Sequence, residues 1–240
     1  MKNLIKKLFN IFGLSLSKLN TASVPSYQTV QTLKAHNINI VFDVGANRGQ
    51  FASELRMYGY TGKIISFEPL PQAYEKMNKR AKSDVSWVLH PRCAVGDKIG
   101  EIEINVSANS VSSSILPMLS SHVSAAPQSK YTHKELVPLV TLDSVYGLYC
   151  KPEDSVFLKV DTQGYECAVL DGANLLLNQC KGVLLELSLV PLYEGQKLWE
   201  ELINRLTVTK HFLYAVQPGF TDQLTGQTLQ IDGLFFRKQP

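Results

Sequence analysis

The sequence predicts an α/β domain built on one mostly parallel β-sheet with helices on both faces. Three observations lead to this prediction. Short runs rich in β-branched and aromatic residues alternate with longer helical patterns along most of the chain. Several of these runs are continuously apolar, as in strands that are buried on both faces of a sheet. The last two runs are separated only by a polar loop, which predicts an antiparallel hairpin at the end of the sheet.

The composition of the 240-residue chain is typical of a globular protein, since 45% of the residues are hydrophobic and 19% are charged. The length suits one domain with a small appendage. The net charge of +3 and the lack of a long basic block give no reason to expect nucleic acid as a partner. The four cysteines show no C-x-x-C spacing and predict reduced thiols in a cytoplasmic protein.

Residues 1–35 are predicted to form an amphipathic helix and a linker that precede the main domain at 36–240. In MKNLIKKLFNIFGLSLSKLN, apolar residues lie near one helical face with lysines beside it. The apolar centre is too interrupted for a signal peptide, and a spanning helix needs about 20 mostly apolar residues. Two alternatives remain for this helix: packing on its own domain or a partner, or peripheral contact with an anionic membrane.

In the first half of the domain, three strands are predicted to be separated by two helices. The strands lie at NIVFDV, KIISFEP and VSWVLHP, and the helices at NRGQFASELRMYG and PQAYEKMNKRAK. Gly59 ends the first helix, and Pro71 occupies the first turn of the second.

The central segment 97–140 is predicted to be an insertion that covers the binding site. The strict alternation in EIEINV predicts a half-exposed antiparallel strand, and ELVPLV predicts another strand. Between them, residues 108–134 are rich in serine, alanine and proline and have little periodicity, which is typical of a functional loop. A short helix capped by Thr141 follows.

The strand–helix alternation then resumes. Strands are predicted at SVFLKVD and GVLLELS, followed by helices at GYECAVLDGANLLL and GQKLWEELINRLTV, and the chain closes with strands at HFLYAVQ and GLFFRK. Ligands of such sheets bind beyond the carboxyl ends of the strands, so functional residues are expected directly after each strand.

The turn after the first strand has the spacing D-x-G-x-N-x-G, formed by Asp43, Gly45, Asn47 and Gly49. It matches neither the G-x-G-x-x-G dinucleotide fingerprint nor a P-loop. An acidic residue in the turn disfavours a nearby pyrophosphate. The pattern therefore suits a ligand that carries a positive charge and an ammonium group.

The second strand ends in ISFEP, which places Glu68 at its carboxyl end. A carboxylate at this position can accept a hydrogen bond from each hydroxyl of a ribose. A nucleoside with a cationic, amino-acid-like tail and no phosphate is S-adenosylmethionine, which is the predicted cofactor. The alternative is that Asp43 and Glu68 only cap turns.

Six segments of the chain together resemble the FkbM-type methyltransferases. These segments are VFDVGANRGQFASELR, ISFEPLPQAYEKM, CAVGD, VTLDS, FLKVDTQGYECAVLDGA and LLELSLVPLYEG, and they occur in the order typical of that family. The resemblance extends from about Ile38 to Arg237. It implies a class I, Rossmann-like methyltransferase fold with a seven-stranded sheet and one antiparallel strand. It also implies O-methylation of a sugar, glycan, glycolipid or natural product.

The resemblance also implies individual roles around the cofactor. The turn residues match the motif around the methionine part, Glu68 matches the ribose acid, and Cys93 and Ala94 match the stretch beside adenine. Asp97 either accepts from the adenine amino group or belongs only to its turn. The expected cofactor-binding residues are Asp43, Gly45, Ala46, Asn47, Gly49, Glu68, Pro69, Cys93, Ala94 and Asp97.

Three carboxylates and a lysine are expected to converge at one edge of the sheet. Lys159 and Asp161 share a face of their strand, Glu166 begins the next helix, and Glu186 lies on the neighbouring strand. We expect Asp161, Lys159 and Glu186 to be catalytic. Asp161 would orient a hydroxyl or the methionine ammonium, and Lys159 would hold a developing oxyanion or act as a base if burial lowers its pKa. Alternatively, Lys159 and Glu186 form a buried structural pair, and Glu166 stabilises a helix N-terminus.

Ser113, Ser114 and Glu166 are the expected substrate-binding residues. The two serines lie in the segment 108–134 and offer small hydroxyls to a polar acceptor such as a sugar. His122 and His133 of the same segment are alternative bases. No histidine-rich ligand spacing predicts a metal site. A different class of function is a non-catalytic cofactor-binding module that acts through its N-terminal helix.

Overall fold

A computed structural model describes residues 2–14 and 18–238 and confirms the predicted fold class. The strands are β1 (Ile40–Val44), β2 (Lys63–Phe67), β3 (Trp87–Leu89), β4 (Ala94–Val95), β5 (Gly100–Ser107), β6 (Tyr131–Val140), β7 (Val156–Val160), β8 (Gly182–Ser188), β9 (His211–Pro218) and β10 (Gln230–Arg237). The helices are α1 (Lys2–Ile11), α2 (Pro25–Ala35), α3 (Gln50–Met57), α4 (Pro71–Ala81), α5 (Ser120–Ala125), α6 (Leu142–Val145), α7 (Glu166–Asp171), α8 (Asn174–Gln179) and α9 (Trp199–Val208).

Seven strands form the main sheet in the order β3-β2-β1-β7-β8-β10-β9. All neighbouring pairs are parallel except those of β10, which runs antiparallel to both β8 and β9. The predicted terminal hairpin is therefore present, and its second strand lies between β8 and the edge strand β9. Every residue of β1 and β7 is buried, which explains why their sequences are apolar apart from Asp43 and Lys159.

Helices cover both faces of the sheet. On one face, α2, α3 and α4 contribute apolar side chains to a core that includes Val41, Ile64 and Phe157. On the other face, α6, α7, α8 and α9 pack over Phe42, Ile65 and other strand residues. The two cores leave the carboxyl ends of the parallel strands free to carry polar groups.

Helix α2 differs from the linker expected in this part of the chain. It buries Thr29, Val30, Thr32 and Leu33 against the domain. The Gln217 amide of β9 donates to Pro25 O (3.2 Å), Gln28 Oε1 (3.0 Å) and Thr29 Oγ1 (3.1 Å). The docking of α2 thus combines the burial of Val30 and Leu33 with polar contacts, and the polar part is not revealed by apolar periodicity.

The single helix predicted at GYECAVLDGANLLL is divided into α7 and α8. Asp143 caps the start of α8, because its carboxylate accepts from Leu175 N (2.9 Å) and Leu176 N (3.0 Å). Its own backbone N–H donates to Gly172 O at 2.9 Å. These bonds give the chain an alternative to continuing one helix through Gly172.

The segment 97–140 is more regular than expected. Strands β4, β5 and β6 form a second, three-stranded sheet in which β5 and β6 are antiparallel. Residues 108–134 contain α5, the 3₁₀ turn Pro127–Ser129 and the start of β6. The predicted cap of α6 is present, since the Thr141 side chain accepts from Ser144 N at 3.2 Å.

Candidate active site

A cavity of about 280 Å³ opens at the carboxyl ends of β1, β2 and β7. Its polar lining comes mainly from the segments directly after these strands, 45–47, 68–69 and 161–163. The expected meeting of these segments at one edge of the sheet is therefore confirmed. The apolar part of the lining comes from β4, from Ile104 of β5 and from the segment 110–115.

A buried ion pair lies beneath the cavity. Asp43 and Lys159 are aligned across the central strands β1 and β7, and Asp43 Oδ1 lies 3.3 Å from Lys159 Nζ. Ser66 Oγ donates to Asp43 Oδ2 at 3.1 Å. The lysine ammonium also donates to Gly45 O at 3.0 Å and to Val44 O at 3.3 Å. Lys159 thereby ties the glycine turn to the sheet.

The expectation that Lys159 acts as a base is not supported. Burial lowers the pKa of Lys159, but the carboxylates of Asp43 and Asp161 outweigh burial, so the pKa is raised overall. Lys159 is therefore an ammonium at neutral pH. It also does not pair with Glu186, because the register places it opposite Asp43 on one side and Leu184 on the other.

The two glycines of the turn have different roles. Gly45 has a φ of +74°, and a Cβ there would lie 1.8 Å from the Asp161 carbonyl oxygen, so only glycine allows the ends of β1 and β7 to meet. Gly49 has a φ of +78°, and a Cβ there would meet the Trp87 ring at 2.6 Å. Gly49 does not line the cavity, and its contact with Trp87 serves the packing of α3.

Glu68 lines the cavity but also holds the turns around it. Its side-chain oxygens accept hydrogen bonds from Asn47 N (2.8 Å) and Leu70 N (2.9 Å). Burial raises the pKa of Glu68 to about 7, although the two backbone donors and Lys159 act in the opposite direction. Each carboxylate oxygen has a second lone pair available to a ligand.

Cys93 and Ala94 line an apolar slot together with Phe67, Val95 and Ile104. Burial raises the pKa of the Cys93 thiol to about 12, so it presents a neutral surface to the slot. Pro69 and Ala46 also line the cavity. Asp97 is exposed in the bend after β4 and does not line it.

The loop after β7 carries a network centred on Gln163. Gln163 Nε2 donates to Asp161 Oδ1 (2.9 Å) and to both Glu186 oxygens (3.1 Å each), and Gln163 Oε1 accepts from the Tyr193 hydroxyl (2.8 Å). Asp161 Oδ2 lies 3.7 Å from Lys159 Nζ. Asp161 lines the cavity, whereas Glu186 contacts it only through Gln163.

Glu166 is buried and does not line the cavity. Its Oε1 accepts from Thr162 N (2.9 Å), Thr162 Oγ1 (3.2 Å) and Gly164 N (3.1 Å). The carboxylate is occupied by the loop that carries Asp161 and Gln163. Glu166 therefore positions this loop instead of contacting a substrate, which differs from its expected role.

The serine-rich segment crosses the mouth of the cavity. Ser113 and Ser114 both line it, as expected. Ser114 Oγ donates to Gln163 O at 2.6 Å, and Ser113 Oγ accepts from Ser107 N at 3.0 Å. The two alternative bases lie elsewhere: His122 packs against Tyr193 and Phe220, and His133 is exposed.

Several cavity-lining residues were not expected from the sequence, among them Phe51 and Glu54 of α3, Gln163 after β7, Leu184 of β8 and Asp232 of β10. Asp232 is an acidic residue directly before the apolar run GLFF of β10, and that contrast is the signal that would have found it. Within residues 2–14 and 18–238, no group of histidine, cysteine, aspartate or glutamate side chains is arranged to hold a metal ion.

Residues 43–215 match the family model described as the methyltransferase FkbM domain. No curated protein sequence matches the chain. Among solved structures, a putative O-methyltransferase from Klebsiella pneumoniae aligns with a TM-score of 0.51 and 7% identity over 99% of this chain and 89% of that chain. An rRNA methylase from Streptococcus thermophilus gives a TM-score of 0.48 and 9% identity, over 93% and 100% of the two chains. Aeropyrum pernix fibrillarin with natively bound S-adenosyl-L-methionine aligns with a TM-score of 0.45 and 10% identity, over 88% of this chain and 75% of that chain. At 7% identity, the likeness to the putative O-methyltransferase shows the fold alone.

Replacing Lys159 by methionine should lower the free energy of unfolding by about 3–5 kcal/mol, because Asp43 is left as a buried, unpaired carboxylate. The double variant Lys159→Met/Asp43→Asn should recover much of that loss, since both charges are removed together. Denaturant unfolding at pH 7 measures both effects. Lys134→Met, which removes an exposed ion pair with Glu103, is the control and should change the free energy by less than about 1 kcal/mol. A Lys159→Met protein as stable as the parent would contradict this role.

Proposed function

The chain belongs to the FkbM methyltransferase family, and on that basis we propose that it is an S-adenosylmethionine-dependent methyltransferase acting on a hydroxyl of a sugar, glycan or glycolipid. It has the class I methyltransferase fold. The observation that carries the cofactor proposal is the position of Glu68, a buried carboxylate at the end of β2 that lines the cavity beside an apolar slot.

The residues of the cavity fit this cofactor. Glu68 would accept from the ribose hydroxyls, and the slot at Cys93 and Ala94 would take the adenine ring. The turn 45–47 and Asp161 would hold the amino-acid part. When bound, S-adenosylmethionine supplies a methyl group already activated by its sulfonium.

The main task left to the protein is to align the acceptor hydroxyl, and alignment can supply about 7–11 kcal/mol of a barrier. Asp161 is partly exposed to the cavity, where it would orient the acceptor hydroxyl or the cofactor ammonium. Lys159, held as an ammonium, would stabilise negative charge that develops on the acceptor oxygen. Glu186 and Glu166 would act indirectly by holding the loop that carries Asp161.

A polar acceptor is favoured by the segment over the cavity mouth. Ser110, Ser113 and Ser114 line the cavity and contribute hydroxyl or backbone groups at its edge. These are groups that hydrogen-bond the hydroxyls of a sugar. The preference for a sugar over a natural product depends on this polarity and on the family resemblance.

We further propose that α1 makes peripheral contact with an anionic membrane. Among the described residues, no helix combines the length and the apolar character that a bilayer crossing requires. Phe9, Ile11 and Phe12 are exposed, and so are Lys6 and Lys7. Asp43 is the first acidic residue of the chain, so the lysines before it face no opposing charge in this part of the sequence. An apolar, basic helix of this kind binds anionic lipid surfaces.

Glu68→Gln should weaken binding of S-adenosylmethionine by about 10- to 100-fold, because a charged acceptor for the ribose is lost. Isothermal titration calorimetry measures the dissociation constant, and a thermal melt verifies the fold. Glu75→Gln, an exposed change on α4, is the matched control. Equal affinity in a folded Glu68→Gln protein would exclude Glu68 from the cofactor site.

The protein should transfer label from methyl-labelled S-adenosylmethionine to a carbohydrate-containing fraction of a source-cell extract. Asp161→Asn should lower the rate by roughly 100-fold or more, since it removes a charge that positions a reactant. Asp171→Asn, an exposed change on α7, should retain the rate. Label confined to lipid-free, sugar-free small molecules would favour a natural-product acceptor. Cofactor binding without transfer to any fraction would indicate a non-catalytic module.

The double variant Phe9→Ser/Phe12→Ser should lose co-sedimentation with phosphatidylserine-containing vesicles, because it removes apolar surface that would enter the lipid interface. Binding of the parent protein should weaken as salt is raised. Leu224→Ser changes an exposed apolar residue on the β9–β10 loop and should bind like the parent. Failure of the parent to sediment with these vesicles would contradict the membrane proposal.

A further inference from the structure

Asp232 lies on the side of the cavity that β8 and β10 form. It lies on β10, where it is aligned with Glu186 on β8 and with Gln217 on β9. The residue is half-buried and lines the cavity together with Lys159 and Leu184. The insertion of β10 between β8 and β9 brings an acidic side chain to the polar edge of the sheet.

The groups around Asp232 leave its carboxylate without a partner. Lys159, the nearest cation, is held by Asp43, by the two carbonyl groups of the glycine turn and by Asp161. Among the described residues, no hydrogen bond or ion pair reaches the Asp232 carboxylate.

The other charged groups that face Asp232 are acidic. Asp161, directly after β7, and Glu186 on β8 continue the face of the sheet that carries Lys159 and Leu184, and Glu54 of α3 lines the same cavity. On β9, the neighbour Gln217 is neutral and binds α2 through Pro25, Gln28 and Thr29. Apart from Lys159, the described surroundings of Asp232 therefore supply no positive charge to balance these carboxylates.

This excess of carboxylates gives Asp232 a high affinity for a proton. Burial and the charge of Asp161 raise its pKa to about 7, against the opposing effect of Lys159. Burial, Asp161, Glu166 and Asp232 together raise the pKa of Glu186 well above its ordinary range. A proton is therefore bound near Asp232 for part of the time at neutral pH, and a cation entering the cavity would displace it.

We propose that Asp232 is the residue by which this cavity prefers S-adenosylmethionine over its demethylated product, a role that rests on the proposed function. The two molecules share the adenosine, ammonium and carboxylate groups and differ in charge only at sulfur, which is a cationic sulfonium in one and a neutral sulfide in the other. Overall, O-methylation removes that positive charge and releases the proton of the acceptor hydroxyl. Asp232 is ionised beside the cation and partly protonated beside the neutral product, so it favours entry of the cofactor and departure of the product.

The test is calorimetric titration of the full-length protein with S-adenosylmethionine and with S-adenosylhomocysteine at pH 7, each in buffers of different ionisation enthalpy. Binding of the cation should release about half a proton per site more than binding of the sulfide, as expected for a group that titrates near this pH. Asp232→Asn should remove most of this difference and lower the ratio of the two affinities about tenfold. Asp222→Asn, an exposed change in the loop between β9 and β10, is the matched control and should leave both quantities unchanged.

The outcomes separate this inference from the proposed function. If neither molecule binds, the proposed function fails. If both bind with equal proton release, or if Asp232→Asn preserves the difference, Asp232 does not sense the sulfonium. Because a carboxyl with a raised pKa destabilises the fold as pH rises from about 4 to 7, Asp232→Asn should fold at least as stably as the parent at pH 8. Asp232→Ser provides a second neutral variant with the same expected result.

Discussion

The ion pair between Asp43 and Lys159 determines the geometry of the cavity. It joins β1 and β7 at the centre of the sheet, and the same ammonium holds the carbonyl groups of Val44 and Gly45. Those contacts place the glycine turn against the end of β7, where Gly45 meets the backbone of Asp161. A buried pair of this kind is weak evidence for stability compared with an apolar pair, but losing one partner is costly. The pair therefore defines the shape of the site without contributing a proton donor or acceptor of its own.

The second constraint is the excess of negative charge around that single lysine. Asp161, Glu186 and Asp232 lie near one another, and burial together with mutual repulsion raises the pKa values of Glu186 and Asp232. The protein partly relieves this repulsion with the neutral amide of Gln163, which binds Asp161 and Glu186. A cationic ligand without phosphate would relieve the rest. The charge of the cavity and the absence of a phosphate-binding motif in its glycine turn thus favour the same cofactor.

Sequence reasoning succeeds where local pattern and position determine the outcome. The strands β1 and β7 are predictable because their residues are apolar apart from Asp43 and Lys159, as in strands buried on both faces, and Glu68 and Asp161 are predictable because they directly follow strands. It fails where contacts between distant parts of the chain determine the position of a helix or side chain. Helix α2 is held partly by the Gln217 amide, the Glu166 carboxylate accepts hydrogen bonds from its own loop, and Asp232 enters the site only because β10 is inserted beside β8. The protonation of Lys159 likewise depends on two carboxylates whose distances the sequence does not contain.

The central claim is that a sulfonium nucleoside is held by acidic groups at consecutive strand ends. The most direct measurement is a crystal structure of the protein grown with S-adenosylhomocysteine. In that structure, the ribose hydroxyls should lie within hydrogen-bonding distance of Glu68, and the adenine ring should lie in the slot at Cys93 and Ala94. Adenosine bound at another place, or a Glu68 carboxylate turned away from the ribose, would contradict the central claim.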